Sequence, residues 1–213
     1  MNNKESKKEE NIMNTPKLET ERLILRKFEE MDLPDMLILY RDEEVNRFLP
    51  WFPMQTQEEM ADYLHNVIEP CYDEEKGYSY AVVHKAENRV IGYVHVNDLG
   101  GENDIGYAIC REFWNQGLIT EACRAVICQM KKDGVPYVTA IHDRKNPGSG
   151  RVMQKLGMMY QYSYEEQWQP KDFPVIFRLY QLNLDGNEKR IYTKYWDDSA
   201  VHFIENLETE REK

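Results

Sequence analysis

The run Phe113-Trp114-Asn115-Gln116-Gly117 leads straight into an apolar-periodic segment over 118–132. A loop that enters a helix this way leaves the first backbone N–H groups unpaired at the positive end of the helix dipole, which suits a phosphate. Gly117 has no Cβ, so a ligand can approach the backbone closely. A second run, Asn146-Pro147-Gly148-Ser149-Gly150-Arg151, follows the next strand and opens a shorter helix that Gly157 stops. Asn146 reads as a turn residue with an amide to offer, and Ser149 as an N-cap with a hydroxyl. Upstream stand Asp104 and Glu102, carboxylates able to take a proton directly or through water, although each alone reads as an ordinary turn or strand-edge acid. His95 and His142 lie on neighbouring strands, where they read as structural or solvent-facing groups that could also line a site. Cys110 adjoins the first run, but nothing in the sequence supplies a nearby histidine to activate it.

The segments around these residues have clear periodicities. Residues 20–28 are strand-like, and Asp32 precedes a short helix over 33–40 with Pro34 in its first turn. Thr56-x-x-Glu59 makes a capping box for a helix whose Met60, Tyr63, Leu64, Val67 and Ile68 fall on one face. Residues 78–84, 89–99 and 104–109 predict three consecutive antiparallel strands. The helix over 118–132 buries Ile119, Ala122, Cys123, Val126, Ile127 and Met130, with Gly134 at its C′ position. Residues 137–141 predict a strand, 149–156 a short helix, and 159–168 with 175–184 a closing strand pair. The order is β-α-α-β-β-β-α-β-α-β-β, an α/β (α+β) domain with about seven strands. Residues 1–15 read as a disordered tail, 16–184 as the domain, and 185–213 as a helical extension on which Tyr192, Tyr195 and Trp196 share helical spacing.

Composition narrows the function classes. The 213 residues carry 38 acidic against 27 basic side chains, a formal net charge of −11 that disfavours nucleic acid and anionic membranes. No apolar run reaches membrane-spanning length, and the charged amino terminus lacks the apolar core of a secretory signal, so the cytoplasm is the expected compartment. The four cysteines form no C-x-x-C, and no histidine stands at metal-ligand spacing from them, so neither a disulfide framework nor a metal site is expected.

Taken together these runs resemble a known family. IGYAICREFWNQGLITEACRAVI is similar to motif A of the GNAT superfamily of acyl-coenzyme A N-acyltransferases. NPGSGRVMQKLGM resembles the following motif in its branch of ribosomal-protein N-terminal alanine acetyltransferases and relatives, and LETERLILRKF resembles that branch's first strand. The resemblance spans about residues 17–184. It implies a mixed, mostly antiparallel sheet flanked by helices, and transfer of an acetyl group from acetyl-CoA to a primary amine. The pyrophosphate loop falls on 114–119, which makes the backbone amides of Gln116, Gly117, Leu118, Ile119 and Thr120 the phosphate ligands. Ile119 departs from the family's usual Gly or Ala. Pantetheine is expected along the strand at Ile109, paired like an added strand, with Arg111 where a proline is usual. Asn146 is expected to bind pantetheine or carbonyl groups, and Arg151, with Arg144, Lys145 and Lys155, to meet the 3′-phosphate. The tyrosine that protonates the leaving thiolate in many members is replaced by Met153, which leaves Ser149 as the substitute.

The acceptor must be a neutral amine. An α-amine, with a pKa of about 7.7–8.0, needs less help from a base than a lysine-type amine at about 10.4. Asp104, then Glu102, are the candidate bases, and direct attack is favoured over an acyl-Cys110 route. The expected acceptor is a peptide N-terminus or a small cationic amine. It would be bounded by the first two helices, the loop at Trp51 and Phe52, and the strands around Trp168 and Phe173. The chain is expected to be a monomer or homodimer. A catalytically weak acetyl-CoA sensor or interaction module is the alternative that Ile119 and Met153 support, and a purely structural scaffold is the third reading.

Overall fold

The computed structural model describes residues 14–207. Its elements are β1 (Leu18–Glu19), β2 (Leu23–Arg26), α1 (Leu33–Arg41), α2 (Glu43–Asn46), α3 (Gln57–Tyr63), β3 (Ser79–His84), β4 (Arg89–Asn97), β5 (Asp104–Ile109), α4 (Leu118–Lys132), β6 (Tyr137–Asp143), α5 (Pro147–Lys155), β7 (Met159–Trp168), β8 (Phe173–Asn183), α6 (Lys194–Asp198) and β9 (His202–Phe203). They form one sheet in the order β1-β2-β3-β4-β5-β6-β8-β7-β9. Every neighbouring pair is antiparallel except β5 with β6. The sheet has nine strands against the expected seven, because two-residue edge strands such as β1 and β9 are too short to show alternation in a sequence.

The helices cover both faces of the sheet. Tyr40 of α1 stacks on Tyr93 of β4 with ring centroids 5.6 Å apart, and on Trp51 at 5.7 Å. Tyr107 of β5 reaches Ser149 of α5 on the opposite face, as strand alternation requires when Tyr93 is paired with Ala108. The capping box at Thr56 and Glu59 forms with both of its bonds. Beyond Tyr63 the helix widens into a π-turn, Leu64–Ile68. Its longer period keeps Leu64 and Ile68 inside but turns Val67 outward at 48% exposure, so the expected five-residue face fails at that position.

Both ends differ from expectation. Residues 1–13 of the expected tail lie outside the described residues, but Asn14 and Thr15 are docked. Asn14 Nδ2 donates to the carbonyls of Cys71 and Glu74, and the Thr15 N–H donates to the Gly77 carbonyl. Of the expected helical extension, 208–213 lie outside the described residues. The remainder holds only the short α6 and then β9, which pairs with β7. Tyr192, Tyr195 and Trp196 pack on a second apolar cluster containing Tyr162, Tyr164, Trp168 and Phe177. Nearby, buried Arg178 is paired with Glu205 at 2.6 Å. Among the described residues no helix is long and apolar enough to cross a membrane.

Candidate active site

The parallel pairing of β5 with β6 is confined to Asp104 beside Thr139. Past that point the strands separate, and a groove of about 1500 Å³ opens between them. On its other edge β5 stays bonded to β4, with the Cys110 N–H donating to the Ile91 carbonyl at 2.7 Å. Antiparallel alternation then turns the backbone groups of Tyr107 and Ile109 away from β4 and toward the gap. The Ile109 carbonyl accepts the Trp114 indole N–H at 2.9 Å, which leaves the Ile109 N–H for a ligand. An extended chain laid in the gap would find a strand edge to pair with.

The loop before α4 is built to present amides. Asn115 and Gly117 both have positive φ, 59° and 77°. Gly117 is the N-cap of α4 and provides no side-chain cap, so the N–H groups of Leu118, Ile119 and Thr120 have no capping partner. A Cβ at Gly117 would meet only Arg22 Nη2, at 3.7 Å. Ile119 is half-buried against the core and also lines the groove. Gln116 is exposed, and its side chain donates to the Glu112 carbonyl. Its own carbonyl accepts from Arg22 Nη1 at 3.0 Å, and Arg22 also pairs with Glu121 at 2.6 Å. Arg22 therefore ties the loop to the first turn of the helix.

Asn146 rather than Ser149 caps α5, its Oδ1 accepting the Ser149 N–H at 3.3 Å. Ser149 sits inside the first turn with its hydroxyl free of capping duty. Its Oγ lies 3.0 Å from the Tyr107 phenol, which faces the groove. Gly150 lets α5 lie close on β6, since a Cβ there would come within 2.8 Å of His142 Nε2. His142 is buried, with Nδ1 on the Asp143 carbonyl, and its pKa is lowered by burial. Met153 is buried in the core, and Arg144 is exposed away from the groove, near Glu205. Lys145, Arg151 and Lys155 do line the groove.

On the other face of β5, Asp104 lines the groove, and its Oδ1 is buried without a partner. Burial pushes its pKa up to about 7, assisted by the Glu102 carboxylate and opposed by the Ile141 N–H. His95, across from Gly106, is held neutral by burial with its pKa down to about 4. A Cβ on Gly106 would lie 2.2 Å from His95 Nε2, so glycine there leaves room for the ring. Glu102, the second expected base, is engaged elsewhere: Lys194 Nζ stands 3.2 Å from Oε1 and the Tyr195 phenol 2.5 Å from Oε2. Cys110 is buried and its thiol is pushed up to about 11 by burial, which removes it as a nucleophile near neutral pH.

The expected acceptor wall is present in part. Trp51 and Trp168 line the groove, whereas Phe52 and Phe173 are exposed and do not. Lys171, in the turn between β7 and β8, donates to the carbonyls of Asn46 at 2.8 Å and Arg47 at 3.0 Å, and so ties that turn to the end of α2. Tyr107, Arg22 and Lys171 are contributors that sequence reasoning missed. Tyr107 had a signal, standing two residues before Ile109 and so on the same strand face. Arg22 and Lys171 act across 94 and 125 positions and leave no local pattern.

Residues 22–159 match the acetyltransferase (GNAT) domain family. The curated N-acetyltransferase YoaA of Bacillus subtilis is 26% identical over 159 residues, covering 70% of this chain and 89% of that protein. The solved GNAT-family acetyltransferase of Bacillus anthracis shares the fold with a TM-score of 0.69 at 20% identity, over 80% of this chain and 99% of that one. So does an acetyltransferase of Salmonella typhimurium that modifies the N-terminal serine of ribosomal protein L7/L12, with a TM-score of 0.66 at 16% identity, over 77% and 96% of the two chains. Among the described residues no group of three or more His, Cys, Asp or Glu could hold a metal ion.

Proposed function

The chain belongs to the GNAT acetyltransferase family, and on that premise we propose that it moves the acetyl group of acetyl-CoA to a primary amine by direct attack. The acceptor is a protein N-terminal α-amine or a small-molecule amine. One observation carries the reading. Asp104 and the Tyr107–Ser149 pair stand on opposite faces of β5, beside the point where it parts from β6. A thioester lying in the gap would have a base on one side and a hydroxyl donor on the other.

The free N–H groups at the start of α4 fit the pyrophosphate of acetyl-CoA, and Lys145, Arg151 and Lys155 supply cations for its phosphates. The edge of β5 fits pantetheine, and Asn146 keeps its Nδ2 donors for the same arm. Asp104, as carboxylate, takes the proton of the incoming ammonium and frees the lone pair for attack on the thioester carbon. The Ile109 N–H meets the charge that develops on the carbonyl oxygen. As the C–S bond breaks, the attacking nitrogen releases its second proton to solvent, and Ser149 Oγ, held by a hydrogen bond from Tyr107, gives its proton to the departing sulfur and regains one from solvent. An acid with a pKa near 7 is matched to this task, since it is both charged enough to accept a proton and basic enough to hold it.

The test is release of CoA from acetyl-CoA against a panel of N-terminal peptides, polyamines and amino acids. Release above the hydrolysis background with one acceptor class, lost in Asp104→Asn, is the expected result. Acetyl-CoA binding with no amine-dependent release would instead favour the sensor reading.

A further inference from the structure

Glu102 stands two residues before Asp104, yet both of its oxygens are held by the C-terminal segment. Tyr195 of α6 is 2.5 Å from Oε2 and Lys194 is 3.2 Å from Oε1. Tyr195 is itself held in place from two sides. Its ring stacks on Tyr164 of β7 with centroids 4.8 Å apart and planes 8° apart, and β9 pins the chain to β7 just beyond it. Glu102 is further fixed through its backbone, since Thr139 Oγ1 donates to its carbonyl at 2.8 Å. We propose that Lys194 and Tyr195 are positioning residues for catalysis, holding the Glu102 side chain in place near Asp104 so that the segment after the family's domain sets the pH at which Asp104 becomes a base.

The proposal rests on the reading of Asp104 as the base. A phenol donating to one oxygen and an ammonium near the other fix the position of the Glu102 side chain. A fixed anion near Asp104 then resists ionisation there. The groups facing Asp104 are few. From β6 come the Ile141 N–H and Thr139, and from β4 Asn97 directly opposite, with the neutral His95 further along at Gly106. Tyr164 of β7 and Tyr195 of α6 lie near it, Tyr107 stands on the opposite face of its own strand, and Glu166 of β7 is close to Glu102. Lys194 is the cation that pairs with Glu102. The matched family domain ends at residue 159, so this control lies outside the part that the family model describes.

The experiment is a carboxyl-carbon NMR titration of the full chain, with the Asp104 signal assigned by its loss in Asp104→Asn. Glu102→Gln should lower the Asp104 midpoint by about one pH unit, the scale of a nearby like charge. Tyr195→Phe should lower it in the same direction, by less. In the Glu102→Gln background, the effect of Tyr195→Phe should shrink to a small remainder, since it acts mainly through Glu102. An unmoved midpoint in Glu102→Gln overturns the proposal even if Tyr195→Phe fails to fold. Equal effects of Tyr195→Phe in both backgrounds overturn it as well. Asp104→Asn at wild-type turnover, with the midpoint changes present, overturns the base assignment and leaves the charge network standing.

Discussion

Tyr107 and Ser149 meet hydroxyl to hydroxyl at 3.0 Å, and the same phenol lies 3.1 Å from the Ser149 carbonyl oxygen. A phenol has one proton, so when it donates to Ser149 Oγ the serine proton is free to point into the groove. When it donates to the carbonyl, the serine proton turns back onto the phenol. The two arrangements differ by one rotation of each hydroxyl, which makes the pair a switchable donor beside the expected thiolate.

Ser149→Ala should therefore lower turnover at saturating acetyl-CoA more than it lowers acetyl-CoA affinity. Tyr107→Phe should lower turnover in the same sense, by about tenfold or less, the scale of one hydrogen bond. The double variant should match Ser149→Ala alone. Steady-state kinetics beside acetyl-CoA binding constants check this. Wild-type turnover in the alanine variant would leave solvent as the proton source.

Asn146→Ala separates structure from chemistry at the same helix. Asn146 is the cap, so its loss should cost about 0.5–2 kcal/mol of stability, while Ser149→Ala, inside the first turn, should cost less. Thermal or denaturant unfolding of the two variants decides between them. The reverse order would restore Ser149 as the cap.

Asp104 makes two pH predictions. Its ionisation near pH 7 should give kcat/KM an acid limb with an apparent pKa close to that value, and Asp104→Asn should remove the limb and cost about 10²–10⁴ in rate. For stability the folded-state pKa is raised above the unfolded one, so the folded protein holds this proton more tightly. Stability is therefore undiminished below the ordinary carboxyl range and is lost as pH rises through about 7. Asp104→Asn should raise stability at pH 8, by about 4 kcal/mol at the very most, and change it little near pH 4. Unfolding curves at both pH values check the sign.

Gly117 and Arg22 test the phosphate loop from two sides. Gly117 has φ of 77°, where a branched side chain costs roughly 1–2 kcal/mol, so Gly117→Val should lose both stability and acetyl-CoA affinity. Arg22→Met removes an exposed ion pair worth under about 1 kcal/mol, so stability should fall little. Acetyl-CoA affinity should fall further than that, because the Gln116 carbonyl loses its anchor. Calorimetric titration with melting temperatures on the same samples distinguishes the two effects. An unchanged affinity in Arg22→Met would make the contact purely structural.

Much of the fold is readable along the chain where the determinants are local. Helix α4 begins and ends where its apolar period and Gly134 place it, and the Thr56–Glu59 box forms as spelled, because a helix is held by residues three and four apart. The loop amides before α4 and the hydroxyl at Ser149 follow from the same local logic and from motif resemblance. The cap of α5 is Asn146 and not the expected Ser149, because both are good capping residues and only the backbone angles choose between them. Val67 leaves its expected face because a π-turn changes the period without a composition signal.

The arrangement of the candidate site belongs to the tertiary structure. Asp104 becomes a distinctive acid only because β6 pairs with β5 at one residue and then leaves, burying one carboxylate oxygen without a partner. Glu102 looks as available as Asp104 in the sequence, yet it is captured by Lys194 and Tyr195 from 92 and 93 positions away. A carboxylate's chemistry is set by what desolvates and pairs it, and those neighbours come from strand order rather than from adjacent residues. Residue types and local periods determined the elements and named the candidates, while the crossing of distant segments decided which candidate keeps a buried, unpartnered oxygen beside the groove.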